Sequence, residues 1–378
     1  MANPITQPVI DLHVHPSFKM FLFKKKLHKN YPAGGAWNPL TLRSSLPKMQ
    51  KGGVRAAVCS HNAPEKKMID DCALMKAILT AGGVFIGRWQ MIVQDTAYEV
   101  TRKMIKDLEK GVAKARDKGW PVTIARSLTE FNNALAADKI VFLHAVEGAH
   151  ALDRDLDNLQ KLFDKGVCML TPAHIYENKA THCVGGIPSD KKFPGCFQNE
   201  GVQQGGLKPF GKDLVDQMVS IGMIIDMTHA TPQARAEIFQ RNNNQRPLVM
   251  SHVGVHAMNP HPMNPTDAEI KKIADCGGVV GIIFYDYWLT TSPQKNGLDL
   301  IAGAAKHIKN IVNIAGVEHV AIGSDFDGFT DPPDDINDPA MFPDLRTALK
   351  NSGFTDADIE KIFEKNALRV IQNGWGRV

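Results

Sequence analysis

The stretch Ile140-Val-Phe-Leu-His-Ala-Val-Glu147 is an apolar run that ends on a carboxylate and is followed at once by Gly148. A short run rich in Val, Ile and other apolar residues, closed by a turn former, predicts a strand buried in a parallel sheet. Seven more runs share this form: Val9 to His15, Val54 to Ser60, Val167 to His174, Met223 to His229, Leu248 to His252, Val279 to Tyr285 and His319 to Asp325. The segments between them carry helix signals. Ser127-x-x-Glu130 and Thr266-x-x-Glu269 have the spacing of capping boxes, and Thr231-Pro232 sets an N-cap before a proline at the first helical position. The pattern is strand then helix, eight times over. Val84 to Val93 is a ninth candidate strand, in the long segment between the second and third runs.

Eight parallel strands with crossover helices either close into a barrel or stay open as a doubly wound sheet. An open sheet usually carries a Gly-rich phosphate turn after an early strand, and neither G-x-G-x-x-G nor G-x-x-x-x-G-K-[ST] occurs. The expected fold is therefore α/β, a (β/α)8 TIM-type barrel. With no Ser/Gly-rich linker, repeat or low-complexity stretch, residues 1–378 read as a single domain.

Composition excludes several function classes. With 44 Lys+Arg against 40 Asp+Glu, the net charge of +4 is too small and too dispersed for a nucleic-acid-binding face, and the one dense run, Lys24-Lys25-Lys26 with Lys29, is brief. No apolar stretch is long enough for a membrane helix, and Met1-Ala-Asn-Pro lacks the character of a signal peptide, so no membrane partner and a cytoplasmic location are expected. The six cysteines, Cys59, Cys72, Cys168, Cys183, Cys196 and Cys276, form no C-x-x-C pair and read as reduced thiols.

The strand ends carry the chemistry. The last polar residues of the runs are His13 and His15 on the first, Glu147, His174, His229, His252 and finally Asp325. In a barrel the C-terminal ends of all strands converge on one mouth, so these groups are expected to share one space. Imidazole and carboxylate suit zinc and similar divalent ions in sites that keep a position open. His13 and His15, at i and i+2 of a strand, point to one face. Glu147 needs either a metal or an Arg or Lys partner to be buried there. In Gly323-Ser-Asp-Phe-Asp-Gly328, alternation sends Asp325 and Asp327 to one side. Asp325 is the candidate general base or ligand, and Asp327 a candidate turn cap.

These motifs resemble the membrane dipeptidase (renal dipeptidase) family of the amidohydrolase superfamily, over nearly the whole chain. The resemblance is carried by Asp11-Leu-His-Val-His15, Val146-Glu-Gly-Ala-His150, Leu170-Thr-Pro-Ala-His174, Gly206-Leu-Lys-Pro-Phe-Gly211, Ile225-Asp-Met-Thr-His229, Met250-Ser-His252, Gly323-Ser-Asp-Phe-Asp-Gly328, Phe342-Pro-Asp-Leu345 and Asn366-Ala-Leu-Arg-Val370. It implies a two-zinc barrel enzyme in which His13 and His15 hold one ion, Glu147 bridges, and His229 with His252 hold the other. His174 then contacts the substrate and polarises its carbonyl, and Asp325 is the acid/base of the dinuclear site. It also implies a homodimer, for which the sequence offers no interface.

Two departures bear on substrate. The family usually has Asp where this chain has His15, which removes a negative charge beside the ions and makes the pair more Lewis acidic. After His252 the family places an arginine that grips the dipeptide carboxylate. Here His256-Ala-Met-Asn-Pro-His-Pro-Met-Asn-Pro265 holds Met263 near that position and no Arg or Lys. His256, His261, Lys179 and Lys191 are the candidate substitutes. The insertion Pro16 to Pro47 reads as a lid or a solvated loop, and Tyr176 to Gly206 as a second pocket wall. His182-Cys183 is unsuited to be a nucleophile pair, since adjacent loop residues rarely face each other.

The leading functional reading is a zinc-dependent, dipeptidase-like hydrolase of small amides. The alternative keeps the metals but acts on a lactone, a cyclic amide or an aminated ring; a non-catalytic metal-binding module is the remaining reading.

Overall fold

In the computed structural model, which describes residues 7–32, 38, 40–73, 76–77, 80–81, 88–185, 201–202, 204–290, 300–328, 332–333 and 335–376, all eight expected runs form strands. In chain order the strands are β1 (Val9–Val14), β2 (Val54–His61), β3 (Val122–Ala125), β4 (Ile140–Glu147), β5 (Val167–Thr171), β6 (Val184–Gly185), β7 (Gly201–Val202), β8 (Ile224–Asp226), β9 (Leu248–Val253), β10 (Val279–Ile282) and β11 (Val320–Ile322). β1, β2, β4, β5, β8, β9, β10 and β11 pair in that order, all parallel. Asp11↔Ile322 joins the last strand to the first. The sheet is thus a closed eight-stranded parallel barrel with helices around it, a TIM-type fold.

The ninth strand is β3 and not the stretch from Val84 to Val93. β4 is long enough to take β3 along its first half and β5 along its second, while β2 lies on its other edge. Of the expected strand, residues 84–87 lie outside the described residues, and Trp89–Gln94 is a helix. Ile92 and Val93 mimic a strand by composition. Ile92, however, packs in a satellite cluster with Phe18, Phe21, Leu22 and Met104, and it is the only buried residue from Gln90 to Gln94. A single buried face is what a helix needs.

The same cluster corrects the solvated-loop reading of the first insertion. Helix Pro16–Phe23 is buried almost throughout, and Leu27, Leu42 and Leu46 enter the main core; residues 33–37 and 39 lie outside the described residues. The capping signals hold with one change. Thr266 and Glu269 form the reciprocal box, and Thr231 accepts from Ala234 N–H. Ser127 accepts from Glu130 N–H, but the Glu130 carboxylate bonds Arg126 N–H instead of returning to Ser127.

Two strand irregularities shape the mouth. β1 loses regular pairing with β2 between Asp11 and Val14, and β9 shifts against β10 between Met250 and Val253. Such bulges re-aim side chains. Leu12 joins a core cluster with Val58 and Leu143, while the next residue, His13, belongs to the mouth. Among the described residues no helix is long and apolar enough to cross a membrane. Cys72 is disulfide-bonded, which corrects the reading of all six cysteines as thiols; Cys59, Cys168, Cys183 and Cys276 are free and buried.

Candidate metal centre

All seven residues expected at the mouth meet there, and every one is buried. Glu147, at the end of β4, lies in the middle. Its Oε1 is 3.3 Å from His13 Nε2, 3.3 Å from His229 Nε2 and 3.5 Å from His252 Nε2. Its Oε2 is 3.5 Å from His15 Nε2 and 3.7 Å from His174 Nε2. Among the described residues no lysine or arginine forms an ion pair with it. A buried carboxylate ringed by five imidazole nitrogens is a donor arrangement that divalent cations between them would satisfy. The donor set fits divalent ions. His13, His15 and Asp325 form one tight triad, with His15 Nε2 3.1 Å from Asp325 Oδ1; His13, Glu147 and His252, and Glu147, His174 and His229, form two more.

Backbone geometry holds the first triad. Beyond the formal strands, Asp325 N–H donates to His13 C=O and His15 N–H to Phe326 C=O, at 2.9 Å each, so the β1–β11 ladder runs on through the ligand positions. Asp325 and Asp327 do not share a face as alternation predicted. Both have positive φ, 58° and 72°, and Asp327 turns away to accept from the N–H groups of Arg43 and Ser44. Gly328 is required: a Cβ there would stand 2.2 Å from Asp325 Oδ1. His229 also has positive φ, 67°, a costly conformation for an imidazole residue and typical of functional sites.

Sequence reasoning passed over a second ring of polar groups. Ser251 Oγ, on β9, lies 2.5 Å from Asp226 Oδ2, 3.1 Å from His13 Nδ1 and 2.7 Å from His252 Nδ1. A hydroxyl has one proton. It goes to the carboxylate, so the oxygen accepts from both imidazoles, which fixes them as Nδ1–H tautomers with Nε2 lone pairs turned to the mouth. Ser60 Oγ reaches His13 Nδ1 as well, at 3.1 Å. Asp226 is in turn held by Thr171, by Thr228 and by Ser251 N–H. Ser251 and Asp226 stood inside quoted motifs; their role left no signal apart from that. On the other side, Glu65 Oε2 accepts from His174 Nδ1–H at 3.0 Å.

The electrostatics follow from burial and proximity. Burial works against ionising Glu147, but His13 and His174 outweigh it and hold the carboxyl well below its usual range. Burial, then repulsion from His13, holds His252 well below the ordinary histidine value; His229 is lowered chiefly by burial. For His174 burial is overcome by Glu65 and Glu147, and its pKa rises to about 9.

The stretch after β9 departs from the family expectation in a definite way. Met263 is fully buried, and the nearby Arg235 is spent: it forks onto Glu269 and donates to Ala230 C=O and Pro262 C=O. His261 instead faces Trp288, with ring centroids 6.2 Å apart, and Trp288 stands 5.7 Å from His229 and 6.3 Å from His252. The Trp288 indole N–H is buried and finds no acceptor among the described residues. Lys179 is exposed at a pocket of about 330 Å³ that Glu65, His150 and Tyr176 also line; Lys191 lies outside the described residues. His182 and Cys183 form no pair, since the Cys183 thiol donates to Ile175 C=O and burial pushes its pKa up. His61 bonds His144 through Nε2 and Ser17 through Nδ1, and neither histidine belongs to the clustered donor groups among the described residues.

The model for the membrane dipeptidase family, peptidase family M19, matches residues 5–374. The chain belongs to that family. Members named dipeptidase are among its relatives. An uncharacterized dipeptidase of Schizosaccharomyces pombe, C3A11.10c, is 27% identical over 72% of this chain and 63% of its own length, and dipeptidase aclJ of Aspergillus oryzae is 28% identical over 62% and 51%. An uncharacterized protein of Klebsiella pneumoniae, from the pqqA 5′ region, is 34% identical over 63% of this chain and 84% of its own length. The chain thus spans between half and two thirds of the named dipeptidases it matches. Among solved structures, the dipeptidase AC, an M19 metallo peptidase, superposes with a TM-score of 0.74 at 20% identity, covering 98% of this chain and 99% of that one. A Rhodobacter sphaeroides metallo peptidase liganded with a phosphinate mimic of L-Ala-D-Ala gives 0.73 at 20% identity, covering 97% and 99%. These likenesses establish the barrel, and family membership makes the chain a dipeptidase-like, metal-dependent hydrolase.

Proposed function

We propose that this chain is a zinc-dependent hydrolase that cleaves a small amide of the dipeptide class at the mouth of its barrel. The observation that carries the reading is Glu147, a buried carboxylate amid five imidazole nitrogens that, among the described residues, pairs with no lysine or arginine. His13, His15 and Asp325 would hold one ion, His229 and His252 the other, with Glu147 between them. When bound, two such ions supply Lewis acidity and lower the pKa of water toward neutrality. The protein's own groups do the rest. Asp325, at hydrogen-bond distance from His15, is set to take a proton and pass it to the leaving amine. His174 offers Nε2 toward the scissile carbonyl while Glu65 occupies Nδ1. Ser251 keeps the Nε2 atoms of His13 and His252 unprotonated and inward.

A second reading, hydrolysis of a lactone, cyclic amide or aminated ring, is favoured by one observation: where the family has a carboxylate-gripping arginine, Met263 is buried and Arg235 is spent. Without a fork, a free carboxylate gains little over a neutral end. The discriminating experiment is hydrolysis by the zinc-loaded protein of L-L and L-D dipeptides beside their C-terminal amides and N-acyl analogues. Efficient cleavage of the free dipeptides supports the leading reading. Inactivity on all of them, with turnover of lactones or cyclic amides, supports the second.

A further inference from the structure

The metal centre has a carboxylate beside it that belongs to neither ligand set. Glu65 sits just beyond β2 and is only 6% exposed, yet among the described residues it pairs with no lysine or arginine. It is the residue before the short helix Lys66–Asp71, but its side chain makes no capping bond to it. Its partners lie elsewhere. Oε2 accepts from His174 Nδ1–H at 3.0 Å, Oε1 accepts from Tyr176 N–H at 3.3 Å, and His150 Nδ1 is 3.8 Å from Oε1. Asn62 Nδ2 also lies 3.1 Å from His174 Nδ1, but its N–H groups have the Glu147 carbonyl and carboxylate to serve. The proton on Nδ1 therefore goes to the carboxylate, the stronger acceptor.

An imidazole turned over about its χ2 axis exchanges its nitrogens for carbons. A bond at Nδ1 to an anchored acceptor removes that freedom. We infer that Glu65 is the positioning residue of His174: it locks the ring so that Nε2, 3.7 Å from Glu147 Oε2, faces the reacting carbonyl. The inference rests on the reading of His174 as the substrate-facing histidine. Glu65 also lines the 330 Å³ pocket with His150 and Tyr176, so its truncation opens onto space that water can fill.

The test compares Glu65→Ala and Glu65→Gln with the zinc-loaded wild type. The expected result for Glu65→Ala is a fall in kcat of about 10- to 100-fold, with KM within about threefold and zinc content unchanged. Glu65→Gln retains an acceptor oxygen and is expected to recover kcat to within a few-fold of wild type. Side-chain ¹H–¹⁵N correlation spectra, with His174→Gln for assignment, should show an exchange-protected His174 Nδ1–H that Glu65→Ala loses. Three outcomes would overturn the inference: unchanged kcat in Glu65→Ala, a loss that tracks loss of zinc, or Glu65→Gln no better than Glu65→Ala. If Glu65→Ala does not fold, Glu65→Gln and the spectra decide. If the wild type cleaves no amide, the functional reading fails by itself, while the Nδ1–H signal still tests the lock.

Discussion

Replacing Ser251 with alanine should uncouple the two halves of the metal centre unequally. The hydroxyl accepts from the Nδ1–H of one histidine in each half, His13 at 3.1 Å and His252 at 2.7 Å. His13 has a second acceptor in Ser60 Oγ, also at 3.1 Å; for His252 Nδ1 no other is found among the described residues. Without Ser251, His252 keeps a buried N–H with no partner, at a cost of about 1–3 kcal/mol, and its ring is free to turn. A loss of that size corresponds to roughly 10- to 100-fold in affinity, the usual weight of an outer-shell partner. We therefore expect the ion held by His229 and His252 to weaken by about that much, and the ion beside His13 and His15 by only a few-fold. The assay is dialysis against zinc buffered at graded free concentrations, followed by elemental analysis: at intermediate zinc, Ser251→Ala should retain one equivalent where wild type retains two. Ser60→Ala alone should retain both, and the double variant should lose both. Two-site binding as tight as wild type in Ser251→Ala would refute the tautomer argument. So would a larger loss in Ser60→Ala than in Ser251→Ala.

Three further outcomes are expected. Asp325→Asn should lower kcat by about 10²- to 10⁴-fold for whatever substrate is cleaved, and unchanged turnover would remove Asp325 from the mechanism. Burial pushes Lys19 down to about 8 from 10.5. The folded state sheds this proton first, so between those values the unfolded chain binds more protons and Lys19 makes stability rise with pH, by up to about 3 kcal/mol, with no contribution to slope below pH 8. Denaturation of Lys19→Met beside wild type at pH 7 and pH 10 checks it: the variant should be relatively more stable at pH 7, and an equal difference at both would count against the assignment. Finally, the unreduced, unfolded protein should titrate with fewer than six thiols, since Cys72 is disulfide-bonded; six would mean that the bond does not form. A stable disulfide belongs to oxidising compartments more than to the cytoplasm, so this count also bears on where the protein works.

The points at which the structure departs from the sequence reading have physical causes. Val84 to Val93 looked like a strand because Ile92 and Val93 are β-branched, but that composition does not say whether one face or two will be buried. β3 escaped notice because four residues are too few to show a period. Asp327 was assigned the wrong direction because alternation assumes extended backbone, and both aspartates of its motif have positive φ. Glu65 had no local signal, since its partner His174 lies 109 residues away.

By itself the sequence determined the barrel and the chemistry available to it. Eight buried runs, each ending near an imidazole, a carboxylate or a turn, admit few architectures, because a parallel strand must be covered on both faces and its ends must converge. Only the tertiary structure decided how the donors are aimed. Ring orientation depends on a single hydroxyl shared between His13 and His252 and on the carboxylate behind His174. Those contacts join residues far apart in the chain, and their energies depend on distances of a few tenths of an ångström that no local pattern encodes.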